Sequence, residues 1–469
     1  MISVRNPFAV STMLPQSFVQ GELPNSKQTY GRLFKIAAPS VAELVLTSLI
    51  GMVDTQMVSG LGDAAIAAVS LVAQPRMLVL CIFMALNVGI TATLARRKGE
   101  GRQEDAQHTL RSVLWIMLLA SIGVTVLAEL IAEPLMIFAG ANEDTLALSC
   151  TYYRIFIAVT PVQILLMVLS AAQRGIGNTS VVMYVNIIGN LVNVFCNWML
   201  IHGNLGMPAM GVAGAALASA IGVCVSAIGI IISVQLPGSY LRISFRKTWI
   251  PNKEIIYAIT KVGGNAIIEQ MAMRIGFFLS AIMIAHLGTH TVAAHNICMQ
   301  MLNLTWTVSE GLSIAATSLV GQNLGRKRPD LSMLYGKAAQ RVALLASFAL
   351  VTVTIIFRYQ FIALFTSKSD PAVISMCSMI MLWVAFFQPF QMSAVVGMGS
   401  LRGAGDTKFV SSVTMVTIAL VRPAISALCI YVIDMGVYGV WVGMYADMIG
   451  RMIFSLARFA KGKWFGIKI

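Results

Sequence analysis

Twelve apolar runs, each about twenty residues long, follow one another from residue 36 to residue 458. A run of that length crosses the hydrocarbon core of a bilayer as a helix. In lipid each backbone amide must then find its partner within the segment. The runs lie near 36–60, 73–95, 112–132, 152–173, 180–202, 210–235, 257–285, 292–320, 338–357, 374–399, 408–432 and 436–458. The expected fold is an all-α polytopic membrane protein. Composition agrees: only 11% of the 469 residues are charged, against about a quarter in a soluble domain.

The net charge of +14, from 33 Lys and Arg against 19 Asp and Glu, would suggest nucleic acid in a soluble chain. Here the basic residues collect in alternate short loops, as the positive-inside rule requires. Arg96, Arg97, Lys98 and Arg102 follow span 2; Arg242, Arg246, Lys247 and Lys253 follow span 6; Arg326, Lys327 and Arg328 follow span 8. The loops 203–209 and 286–291 have neither Lys nor Arg. Both termini are therefore expected in the cytoplasm, and no nucleic-acid partner is expected. The seven cysteines show no paired spacing, so neither a disulfide framework nor a zinc site is expected. Residues 1–35, with Arg5, Lys27, Arg32 and Lys35, have no long apolar stretch, so the first span is expected to do the targeting.

The halves of the chain resemble each other. "VSGLGDAAIAAVS" at 58–70 matches "IAHLGTHTVAAHN" at 284–296 with an offset of 226, which also sets Glu43 on Glu269 and Thr91 on Thr317. "RGIGNT" at 174–179 matches "RGAGDT" at 402–407 with an offset of 228, and "GVAG" at 211–214 matches "GVYG" at 436–439. Two parallel repeats of six spans imply a two-lobed carrier that works by alternating access. The expected organisation is a cytoplasmic tail over 1–35, an N-terminal lobe over 36–235, a linker over 236–256 and a C-terminal lobe over 257–469.

An ionisable group inside a span costs about 2.5–3.5 kcal/mol on insertion scales, so each needs a reason. Glu43 and Asp54 are eleven residues apart, within about 20° on the helix surface and roughly 16 Å along its axis. Thr47 shares that face. On span 5, Asn186, Asn190, Asn193 and Asn197 form a second polar stripe. Carboxamide and carboxylate oxygens suit Na⁺, and the same groups can hydrogen-bond a protonated acid. The expected coupling-cation site, for H⁺ or Na⁺, is Asp54 with Asn193, Asn197 and the span-6 hydroxyl of Ser219. The alternative is that the asparagines join helices within the lobe. In the second lobe Glu269, Glu310 and Arg422 form a candidate polar cluster, with Glu269 or Glu310 expected to pair with Arg422. That cluster, with Glu43, is read either as structural or as part of substrate or second-ion binding. Arg174 and Arg402 are expected to serve topology in their glycine-rich loops. No phosphate loop, metal spacing or nucleophile triad is present, so neither an enzyme nor an ATP-driven pump is expected, and no cofactor beyond the coupling ion.

Taken in order, "AAPSVAELVLTSLIGMVDTQMVSGLG", "LGTHTVAAHNI", "GLSIAATSLVGQNLG", "RGIGNT", "RGAGDT" and "AMGVAGAALAS" resemble the multidrug and toxic compound extrusion (MATE) family across residues 36–458. The resemblance implies twelve helices in two pseudo-symmetric lobes, with export of organic cations and drugs in exchange for Na⁺ or H⁺. It places the family's coupling acid on Asp54, with partners on Asn193, Asn197 and Ser219. Some members carry Asp where this chain has Asn197. The branch with a second-lobe Na⁺ site has an acid where this chain has Met273, and another in span 10, where none occurs between 371 and 405. A first-lobe coupling site is therefore favoured. The expected setting is the inner membrane of a bacterium, as a monomer.

Three rival readings fit the sequence less well. A lipid-linked flippase of the same superfamily would line its cavity with Arg and Lys, whereas in-span basic residues are few, namely Arg154, Arg274 and Arg422. A major-facilitator carrier would show its own signature between spans 2 and 3, which "ARRKGEGRQEDA" does not match. A channel needs no pair of lobes with buried acids.

Overall fold

The computed structural model describes residues 8–244, 246–251, 253–366 and 371–467; Arg5 of the N-terminal tail lies outside these. Every regular element among the described residues is helical. In chain order they are α1 Ser26–Ser59, α2 Asp63–Gly99, α3 Gln103–Leu130, α4 Ala132–Phe138, α5 Glu143–Ala158, α6 Thr160–Gly175, α7 Thr179–His202, α8 Gly211–Gln235, α9 Lys253–Ala285, α10 Thr289–Gly325, α11 Pro329–Ala363, α12 Pro371–Gly403, α13 Thr407–Thr414, α14 Arg422–Ala427 and α15 Val437–Ala460, with short 3₁₀ turns before α1 and after α7. Two π-helical stretches, Met415–Val421 and Leu428–Val432, flank α14.

The apolar runs fall on helices, but the run 152–173 is divided between α5 and α6 and the run 112–132 passes from α3 into α4. Nine helices among the described residues are long and apolar enough to cross a membrane, or ten if α5 and α6, which meet at 48°, count as one broken span. The two long helices that fall short, α10 and α15, are those that place His295, Glu310, Asp447 and Arg451 among apolar side chains.

The chain forms two compact units. One comprises residues 42–263; the other comprises 1–41 together with 264–469. The division runs through α1 and α9, not through the stretch 236–256. The first unit is built on one large apolar core running from Val58 to Ile259. The second has two larger cores, and one of these takes in Val10, Met13, Leu14, Leu33 and Ile36 from the start of the chain. The expected tail thus divides: residues 8–25 dock on the second unit, and α1 begins at Ser26, ten residues before the expected span.

The internal repeat is geometric as well as textual. Gly62 and Gly288, each the residue before a helix, both have φ +96°, a left-handed setting that favours glycine. Thr91 Oγ1 donates to the Ala171 carbonyl at 3.2 Å, and Thr317 Oγ1 donates to that of Gly399 at 2.8 Å. A Cβ on Gly175 would stand 2.7 Å from the Thr91 carbonyl, and one on Gly403 would stand 2.3 Å from that of Thr317. The loop glycines are therefore close-packing positions that let α2 meet α6 and α10 meet α12.

Candidate functional site

The polar stripes of α1 and α7 meet rung by rung at a constant sequence separation of 143. Asn186 Nδ2 donates to Glu43 Oε1 at 2.6 Å, Asn190 Nδ2 to Thr47 Oγ1 at 3.2 Å, and Asn197 Nδ2 to Asp54 Oδ1 at 2.7 Å. A fixed separation means that the two helices run in the same direction. Both repeat their faces every eleven residues, so the register holds from Glu43 to Asp54.

Asp54, half-buried, is the focus of the lower rungs. Asn193 and Asn197 are 5% and 1% exposed. In one placement the Asn193 amide donates to Ser219 Oγ at 3.3 Å, and its carbonyl oxygen then faces the Asp54 carboxylate. Rotating the amide by half a turn sets its nitrogen 3.0 Å from both Asp54 oxygens, while its oxygen accepts from Ser219 Oγ at 3.3 Å and from the Ser219 backbone N–H at 3.1 Å. The second placement satisfies a bare carboxylate. The first sets oxygen against oxygen at Asp54 and amide N–H against the Ser219 backbone N–H, so the second is the placement that the surroundings satisfy. Asn197 Oδ1 is a further buried oxygen with no donor. The four residues singled out in the sequence are therefore brought together, with both amides donating to the Asp54 carboxylate and Ser219 holding the Asn193 oxygen.

The other acids are arranged differently. Arg174 Nη2 donates to Glu43 Oε1, so this buried acid has both an ion partner and the Asn186 amide. Arg402 Nη2 donates in the same way to Glu269 Oε1. The expected pairing of Glu269 or Glu310 with Arg422 is thus corrected. Glu269 is held by the loop arginine of its own repeat, and Glu310 acts electrostatically on that same Arg402. Arg422 instead lies over the Phe277 ring at 4.8 Å, within electrostatic reach of Asp447 and Arg451. Arg174 and Arg402, read as topology signals, reach into the spans as counter-charges.

The count of in-span basic residues is also corrected. Arg154 pairs with Glu129 at 3.2 Å with both side chains about half exposed. Arg76 and Arg451 belong on the list, as do Lys261 and Arg341 by the same span bounds. Arg76 packs on Phe156 at 3.8 Å, and Tyr152 lies within electrostatic reach of both Arg76 and Asp54. Arg451 forms a two-pronged pair with Asp447 at 2.8 and 2.9 Å. The i, i+4 spacing of Asp447 and Arg451 in an otherwise apolar run was the legible signal. Nothing in the sequence ties Tyr152 to Asp54. Among the described residues, no group of three or more His, Cys, Asp and Glu is arranged to hold a metal.

Comparison with known proteins places the chain. The sequence profile of the MatE family matches residues 39–199 and 266–428, one copy for each repeat. The chain is 28% identical over 439 residues to the probable multidrug resistance protein NorM of Thermotoga maritima, covering 92% of each. It is 26% identical over 436 residues to the uncharacterized transporter YisQ of Bacillus subtilis, covering 92% of this chain and 94% of that one. Among solved structures, an outward-facing multidrug resistance MATE family transporter of the MOP superfamily superposes with a TM-score of 0.86 at 22% identity, over 93% of this chain and 97% of the other. A MOP superfamily transporter from Pyrococcus furiosus, described as having a binding pocket of reverse polarity, superposes with a TM-score of 0.84 at 23% identity, over 93% and 95%. With both repeats matched and the fold shared over nearly the whole chain, the protein belongs to the MATE family of membrane transporters.

Proposed function

We propose that the protein is a secondary active multidrug efflux antiporter that exports organic cations or drugs in exchange for H⁺ or Na⁺, with Asp54 as the coupling-ion site. The observation that carries this reading is the shell around Asp54: two buried asparagines and a serine that can present donors to the anion or oxygens to a cation. Uptake of H⁺ or Na⁺ neutralises the carboxylate and loosens its hold on the two amides. Loss of the ion restores that hold. The bound ion and a cationic substrate thus compete for one negative charge, and alternating access follows from which of them is held. The multidrug names of the relatives support the substrate class.

In this reading all twelve helical segments cross the inner membrane of a bacterium, both termini are cytoplasmic, and the working unit is a monomer. A lipid-linked flippase is the second reading. Arg76 and Arg451 enlarge its basic set, but Arg451 is bound to Asp447 and Arg76 lies on Phe156, which favours the antiporter.

The experiment is ethidium efflux from everted vesicles under an imposed Na⁺ or pH gradient, wild type beside Asp54→Asn. Gradient-driven efflux that Asp54→Asn abolishes is expected. Equal efflux in the variant, or a requirement for ATP in proteoliposomes, refutes the reading.

A further inference from the structure

Arg422 is a buried cation whose charge the structure leaves unanswered. It is 3% exposed, and its Nε has no hydrogen-bond partner. The acid within its electrostatic reach, Asp447, is already held by both arms of Arg451. Two arginines and one aspartate leave one positive charge in excess. Three other buried groups of the same unit lack partners: His295 Nδ1 on α10, Trp441 Nε1 on α15, and Ser426 Oγ one turn beyond Arg422. The His295 and Trp441 rings lie 5.5 Å apart, and His295 is within electrostatic reach of Arg422. Gly443 allows α15 to come this close, since a Cβ there would meet Ser426 Oγ at 2.1 Å and the Arg422 carbonyl at 2.6 Å.

An unsatisfied buried donor costs about 1–3 kcal/mol, and a charged one more. Here an arginine, an indole, an imidazole and a hydroxyl share that need, and the missing partner common to them is an acceptor carrying negative charge. We propose that this cluster is a binding site for one monovalent anionic group, either a halide ion or the carboxylate of a substrate. Arg422 supplies the counter-charge, and Trp441 and His295 supply flanking N–H donors. A single excess positive charge matches a monovalent group, not phosphate or sulfate. Phe277, 40% exposed, lies against the guanidinium and is the cover that must swing aside. The site belongs to residues 264–469 and stands independently of ion coupling at Asp54.

The test uses purified protein in detergent at constant sodium, with gluconate as the background anion. The thermal midpoint is followed while chloride, or separately benzoate, replaces gluconate. A saturable rise in wild type is expected, lost in Arg422→Gln. Trp441→Phe, which keeps the ring and removes the N–H, should shift half-saturation at least threefold upward, and it serves if Arg422→Gln fails to fold. A rise with chloride alone identifies a halide site; a rise with benzoate, alone or with chloride, identifies a carboxylate site. No rise with either anion, or an unchanged rise in both variants, overturns the proposal.

Discussion

Glu269 is held by Arg402 as Glu43 is held by Arg174, and the two pairs are equivalent positions of the internal repeat. In each, an acid from the first helix of a repeat, 2% and 4% exposed, meets an arginine in the last turn of α6 or α12. Removing one partner of a buried pair strands the other charge, at a cost of about 3–5 kcal/mol. Arg402→Ala should therefore markedly lower the thermal midpoint of the purified protein. Replacing both members, as Glu269→Leu with Arg402→Met, should recover more than half of that loss. A single variant that melts like wild type would mean that the pair contributes nothing.

The ladder between α1 and α7 makes a graded prediction for cation affinity. Asn197→Asp places a second carboxylate beside Asp54, where 2.7 Å now separates amide from acid. Apparent Na⁺ affinity, read from the half-saturating concentration for efflux or from thermal protection, should rise by about tenfold, equivalent to about 1.4 kcal/mol. Asn193→Leu removes a polar ligand of the Asp54 shell and should weaken the response by at least that factor, whereas Ser219→Ala removes only the amide's far partner and should weaken it less. An equal effect of all three would contradict the arrangement.

Much of this was legible before any coordinates. The apolar runs place the helices because lipid admits little else, and the eleven-residue spacing of Glu43 and Asp54, matched by Asn186 and Asn197, marks two facing stripes. Which arginine answers which acid was not legible. Glu269 and Arg402 are 133 residues apart, and only packing brings the end of α12 onto α9. Depth in the membrane suggests Arg422 as a partner, but depth does not report which side of a helix a residue faces. The start of α1 was misplaced for a related reason: residues 26–35 are polar in sequence, yet Thr29 and Leu33 are fully buried against protein, not lipid.

The repeat glycines offer a test of packing. Gly403→Ala drives a Cβ to 2.3 Å from the backbone carbonyl of Thr317, and Gly175→Ala drives one to 2.7 Å from that of Thr91. Backbone cannot yield as a flexible side chain can, so overpacking should cost about 1–3 kcal/mol, more at Gly403. Gly123, within α3, has nothing within 4 Å of its would-be Cβ. Gly123→Ala should be neutral or stabilising by up to about 1 kcal/mol through helix propensity. Thermal midpoints of the three variants check the order.

The segment before α1 is expected to be part of the folded protein. Met13 is 2% exposed and Leu14 7%, both in the core that contains Leu334 and Trp464. Lys337 Nζ donates to the Met13 carbonyl at 2.8 Å, Gln20 N–H donates to Asp330 Oδ2 at 3.1 Å, and Phe18 stacks on Phe465 at 5.0 Å. Burying one such apolar side chain contributes about 1.5–3 kcal/mol. Met13→Asp reverses that contribution and adds a buried charge opposite a carbonyl, so the thermal midpoint should fall and residues 8–25 should become open to limited proteolysis. Met13→Leu conserves volume and should cost less than about 1.5 kcal/mol. If Met13→Asp were as stable and as protease-resistant as wild type, the segment would be an unattached tail and α1 would hold its place without it.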